Sequence, residues 1–167
     1  FYSFSREQAM QAVSYYREYY EEKGMFENEV YPGIKQLLRD LIKQGVLCLV
    51  ATSKPEIYAK KILDYYELSN YFYYIAGANM DGTRTDKAEV IAYALKQIPA
   101  EYSNKKVLMV GDRSHDIIGA KKNGIDCAGV LFGYGSREEL EEAGADFIAD
   151  SVEAVRNIVF LDRKSVV

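Results

Sequence analysis

The sequence predicts an α/β fold, a doubly wound and mostly parallel sheet flanked by helices, on three observations. From residue 31 onward, helix signals and short apolar runs alternate five times with no hairpin signal between them, which is how successive crossover units read in sequence. The apolar runs VLCLVA, KVLMVG and CAGVLF lack polar alternation, as strands covered on both faces do. Glycines follow the last apolar residue of the helical stretches, at Gly45 and Gly124, where a left-handed stop is needed.

Taken in order, SREQAMQAVSYYREYYEEKG pairs Ser5 with Gln8 in a capping box and sets Ala9, Val13, Tyr16 and Tyr20 at helical spacing. A helix is expected from Arg6 to Glu22, stopped at Gly24. The stretch MFENEVYPG breaks the pattern with polar residues and a Pro-Gly turn. It is taken as a boundary between residues 1–28 and residues 29–167. GIKQLLRDLIKQG places Ile34, Leu37, Leu38, Leu41 and Ile42 on one helical face. VLCLVA is then a strand, and Pro55 is expected in the first turn of a helix carrying Ala59, Ile62, Leu63 and Tyr66. YFYYIAG is the next strand, and Asp86 with Glu89 caps the helix of Val90, Ile91, Ala94 and Leu95. KVLMVG, DIIGAKKNG and CAGVLF continue as strand, helix and strand. Ser136 with Glu139 caps REELEEAG, DFIAD is a brief strand, and a last helix runs from Val152 towards Leu161.

The totals bound the function. A chain of 167 residues can bury a core without staples or structural metal. Its 49% hydrophobic and 28% charged residues are ordinary globular composition. A net charge of −4 gives no basic footprint for nucleic acid or an anionic membrane, so an anionic ligand needs a local positive cluster. Cys48 and Cys127 sit in apolar runs and read as reduced core thiols. No apolar stretch approaches the ~18 residues of a membrane span, and a cytoplasmic location is expected. The chain opens on Phe1 rather than Met.

In open α/β sheets ligands bind beyond the carboxyl ends of the strands. Three suspicious stretches fall there: ATSK, GTRTDK and GDRSHD. Asp112 and Asp116, four apart at a helix start, repel one another unless a cation intervenes. A hard ion such as Mg2+ binds through one or two carboxylates; the inert alternative makes Asp112 a turn residue and Asp116 a helix cap. Thr52 and Ser53 offer hydroxyls and backbone N–H groups to a phosphate, or simply cap the helix before Pro55. Lys87 stands in a first helical turn, where the dipole prefers an acid, unless it is a solvated surface lysine. Lys54 and Arg84 can add positive charge at the same mouth.

VATSKPE, GTRTDKAEVI, MVGDRSHDIIGAKKNGID and GVLFGYGSREELEEAGADFIADSVEAV resemble, in order and spacing, the haloacid dehalogenase superfamily and its phosphoglycolate-phosphatase-like branch. The resemblance covers nearly all of the chain from Tyr31. It implies a Rossmann-like core with the remnant of a helical cap in residues 1–28. It implies that Thr52 binds the transferring phosphoryl group with Ser53 and Lys54 beside it, and that Lys87 steadies the negative charge. Asp112 and Asp116 would hold Mg2+, Asp112 more directly. It also implies a phosphatase acting on a small phosphorylated metabolite, phosphoglycolate first, through an aspartyl phosphate. A 5'-nucleotidase, a sugar-phosphate phosphatase or mutase, or a catalytically inactive phosphate-binding module are the alternatives. A monomer or weak dimer is expected, with no nucleic-acid or membrane partner.

One part of the family pattern is missing. No aspartate-rich first motif on an apolar strand precedes Ser53; the upstream acids lie in helical or turn context. The core is therefore expected to lack its first, central strand and its nucleophile, and an N-terminal segment is expected in the natural protein. His115 is read as a surface residue, the Tyr15, Tyr16, Tyr19 and Tyr20 cluster as packing or substrate entrance, and GYGS as a tight turn.

Overall fold

The computed structural model describes residues 3–161; residues 1–2 and 162–167, at the outer ends of the two expected units, lie outside the described residues. Helix α1 (Arg6–Glu22) begins at the expected capping box, with Ser5 Oγ accepting from the Gln8 N–H and Gln8 reaching back to the Ser5 N–H. Then follow α2 (Ile34–Lys43), β1 (Leu49–Pro55), α3 (Glu56–Tyr65), β2 (Tyr74–Ala78), α4 (Lys87–Leu95), β3 (Leu108–Gly111), α5 (Ser114–Lys122), β4 (Asp126–Val130), α6 (Arg137–Glu142), β5 (Phe147–Ala149) and α7 (Val152–Leu161). Gly45 and Gly124 stop α2 and α5 with φ of 70° and 67°, the left-handed conformation in which glycine carries no steric cost.

Every strand pair is parallel. The sheet comes in two pieces: β1 pairs with β2, and β4 lies between β3 and β5. Helices cover both faces of the second piece. Leu37 and Leu41 of α2 and Val155 of α7 pack on Val130 and Ala149. Ile117 and Ala120 of α5 and Leu140 of α6 pack on Cys127. Around β2, Ala76 is closed over by Val90 and Ala94 of α4. This is the expected doubly wound α/β arrangement.

The break in the sheet is informative. Among the described residues, β1 and β3 each have one strand neighbour. Their apolar residues Leu49, Val50, Ala51, Leu108 and Met109 are only half-buried, and Val110 is 39% exposed. Ala76 and Ala78 of β2, and Cys127 and Ala128 of β4, are buried. Edge strands are ordinarily blunted with charge and central ones left apolar. Here the edges of β1 and β3 have the composition of central strands. The pieces are joined instead through α4, which packs on β1, β2 and α5.

A strand end and a helix cap depart from expectation. β1 runs on through Thr52, Ser53 and Lys54 to Pro55, which pairs with Ala78 after a register irregularity. Pro55 therefore ends a strand and caps α3, rather than occupying its first turn. A proline at the last position of a strand removes no needed donor. The second departure is Glu139: Ser136 Oγ accepts its N–H as expected, but the Glu139 side chain turns away to α5.

Candidate active site

Lys87 is the first residue of α4, following the Asp86 N-cap whose carboxylate accepts from the Ala88 N–H. Its ammonium lies 2.8 Å from Asp116 Oδ1 and donates to the Ala51 carbonyl at 3.2 Å. The two side chains are 10% and 5% exposed. A cation here opposes the α4 dipole, and the Asp116 carboxylate compensates it. Lys87 thus bridges the strand carrying Thr52 to the helix that follows β3. One N–H donates to Ala51 and the ammonium faces Asp116 as an ion pair, which leaves donor capacity for a ligand.

Asp116 is committed within the protein. Its Oδ2 accepts from the backbone N–H groups of Asp112 and Arg113 at 3.1 and 3.2 Å, closing the start of α5. Its buried Oδ1 has no directed hydrogen bond, and Lys87 is its counter-charge. Asp112, half-buried, accepts the Tyr134 N–H on Oδ2 at 2.9 Å, which leaves Oδ1 without a partner among the described residues.

Three glycines make this packing feasible. A Cβ on Gly111 would lie 2.3 Å from Asp116 Cβ, one on Gly133 would lie 2.3 Å from Asp112 Cβ, and one on Gly135 would lie 2.1 Å from the Asp112 carbonyl oxygen. The GYGS stretch, read as a simple turn, is the wall that holds Asp112. Gly111→Ala is expected to destabilise the protein by about 3 kcal/mol, because neither β3 nor the buried Asp116 can give way. A fall in the urea midpoint of the full-length protein checks this.

Glu139 was missed as a site residue. Its carboxylate accepts from the Ser114 N–H at 2.8 Å and from Arg113 Nε at 2.9 Å, pinning the loop between the two aspartates to α6. The Ser114 N–H, then Arg113, hold its carboxyl well below the ordinary value of 4.5, at about 2. A group whose folded pKa is depressed stabilises above its unfolded pKa and loses that contribution as pH falls through the folded one. The stability advantage of wild type over Glu139→Gln should be full above pH 4.5 and vanish towards pH 2. Thermal midpoints of the two proteins across that range measure it.

Thr52 is half-buried, and its Oγ1 accepts from the Lys54 N–H at 3.2 Å. Ser53 and Lys54 are exposed. The Lys54 ammonium reaches away to the Tyr20 hydroxyl of α1. Arg84 does not face a ligand: at φ 52° it donates to the Gly77 carbonyl at 2.8 Å, pairs with Glu56 at 3.3 Å and lies 3.7 Å from the centre of the Tyr93 ring. It anchors the β2–α4 loop that presents Lys87. The His115 side chain is 55% exposed, with Nε2 at 3.8 Å from Asp116 Oδ1.

The donor chemistry fits a hard cation. Among the described residues no group of three or more His, Cys, Asp or Glu gathers as a self-sufficient metal cage. Mg2+ does not need one, since it retains water and binds through one or two carboxylates plus phosphate oxygens. Asp112 offers the open oxygen.

The chain belongs to the haloacid dehalogenase-like hydrolases, whose family model matches residues 1–130. It is similar to a 5'-nucleotidase of Pseudomonas aeruginosa, 38% identical over 95% of this chain and 71% of that protein. It is also similar to the tyrosine-protein kinase PtkA of Mycobacterium tuberculosis, at 39% identity over 85% of this chain, which spans about half (48%) of that protein. The crystal structure of a predicted phosphatase from Clostridium acetobutylicum superposes with a TM-score of 0.85 at 44% identity, over 96% of this chain and 73% of that one. Among the described residues no helix is long and apolar enough to cross a membrane.

Proposed function

We propose that the chain belongs to a Mg2+-dependent phosphatase for small phosphate monoesters. The observation that carries the reading is the Lys87 ammonium, held between Asp116 and the carbonyl of Ala51, the residue before Thr52 on β1, with a donor to spare. In this reading the Thr52 hydroxyl and the Ser53 and Lys54 backbone orient the phosphoryl oxygens, while Lys87 offsets their charge in a largely dry site. Asp116 positions Lys87 and the Asp112 backbone, and Asp112 supplies a carboxylate to the metal. When bound, Mg2+ would polarise the phosphoryl group and balance its charge. The attacking carboxylate would come from a further strand seated between the apolar edges of β1 and β3. We assign residues 1–28 to a helical cap and 29–167 to the core, which accords with α1 burying none of its residues.

The similarity to a 5'-nucleotidase makes a nucleoside monophosphate the first substrate to test, ahead of phosphoglycolate, since the phosphoglycolate phosphatases are more distant at 26–31% identity. The full-length protein is expected to hydrolyse p-nitrophenyl phosphate with Mg2+ and to be inert after chelation. Turnover without a divalent metal would overturn the assignment.

A further inference from the structure

The tyrosines of α1 are not spread evenly. Tyr16 and Tyr20 stack with ring centres 5.4 Å apart and planes 21° from parallel. Tyr20 in turn meets the edge of Tyr58 on α3, with centres 5.4 Å apart and planes at 69°. Tyr58 is buried and its hydroxyl donates to Glu21. The three rings form a ladder from the core outward, fixed at its inner end and ending on Tyr16, which is 61% exposed. Beside the middle rung stands Lys54, its ammonium 5.0 Å from the Tyr20 ring centre and hydrogen-bonded to the Tyr20 hydroxyl. Lys54 also donates its backbone N–H to Thr52. One residue thus ties the aromatic ladder to the strand end assigned to the phosphate.

We propose that Tyr16, backed by Tyr20, is a stacking platform for the base of a nucleoside monophosphate whose phosphate lies at Thr52 and Lys87. A ring held by a second ring loses little freedom when a flat ligand settles on its open face. The Lys54 charge between platform and phosphate site favours a ligand that is anionic at one end and aromatic at the other. A substrate without a ring gains nothing from the ladder. The inference rests on the phosphatase reading and adds to it the substrate's second contact.

The test is steady-state kinetics of full-length wild type, Tyr16→Ala and Tyr16→Phe on adenosine 5'-monophosphate and on glycerol 3-phosphate. Removing a stacked aromatic should raise KM for the nucleotide about fivefold to a hundredfold, with kcat little changed. Glycerol 3-phosphate kinetics should be unchanged, and Tyr16→Phe should behave as wild type. Adenosine should inhibit glycerol 3-phosphate hydrolysis in wild type and fail to do so in Tyr16→Ala. If both esters turn over and Tyr16→Ala treats the nucleotide as wild type does, the platform is wrong while the phosphatase reading stands. If KM rises equally for both esters, Tyr16 is structural and the platform is again wrong. If neither ester is hydrolysed while p-nitrophenyl phosphate is, the platform is wrong and the phosphatase reading stands; if none of the three is hydrolysed, both fall.

Discussion

Lys87→Ala is expected to lower kcat for phosphate-ester hydrolysis by at least a hundredfold, because a preorganised charge in a water-poor site contributes on that scale. The same change strips Asp116 of its counter-charge while that carboxylate remains buried. Breaking one side of such a pair costs about 3–5 kcal/mol, so loss of activity in the single variant is open to confusion with unfolding. The double variant Lys87→Ala/Asp116→Asn separates the two effects. Its neutral amide needs no cation and can still accept from the Asp112 and Arg113 N–H groups. Stability should largely return and activity should not. Urea unfolding and kcat on the same preparations give both numbers, and a double variant that regains activity would return Lys87 to a structural role.

Asp112→Ala should abolish Mg2+-dependent turnover yet leave the fold almost untouched. The contrast with its neighbour follows from burial. Among the described residues the Asp112 side chain has one hydrogen-bond partner, the N–H of Tyr134, and Tyr134 is itself 87% exposed, so water replaces the lost acceptor at little cost. Asp116 has no such access. The measurement is rate against Mg2+ concentration beside the thermal midpoint. A variant that keeps wild-type metal dependence would show that the open Asp112 oxygen holds no ion.

Much of this arrangement was legible from local chemistry. The capping box Ser5–Gln8 and the glycine stops at Gly45 and Gly124 act within one turn of chain, so sequence spacing registers them. Apolar runs marked the five strands seen among the described residues, and the awkward placement of Lys87 at a helix start flagged a cation that the fold buries against Asp116. What escaped the sequence was non-local. The Pro55–Ala78 pairing extends β1 through residues whose types suggest a loop. Glu139 looked like half of a local capping box, but it was claimed by Arg113 and Ser114 at 26 and 25 residues' distance. Gly133 and Gly135 carry no sign in sequence of the aspartate they wrap, because that contact forms only when the β4–α6 connection folds back across the end of β3. Arg84 promised charge for a ligand and spends it on Gly77, Glu56 and Tyr93.

The central claim is that Thr52, Lys87 and Asp112 address one phosphoryl group and one divalent ion. A crystal structure of the full-length protein with Mg2+ and tungstate tests it directly. The account predicts tungstate oxygens within hydrogen-bonding distance, about 3 Å, of Thr52 Oγ1 and Lys87 Nζ, with the metal on Asp112 Oδ1. Tungstate bound elsewhere on the sheet, with Lys87 still closed upon Asp116 and Ala51 alone, would contradict it.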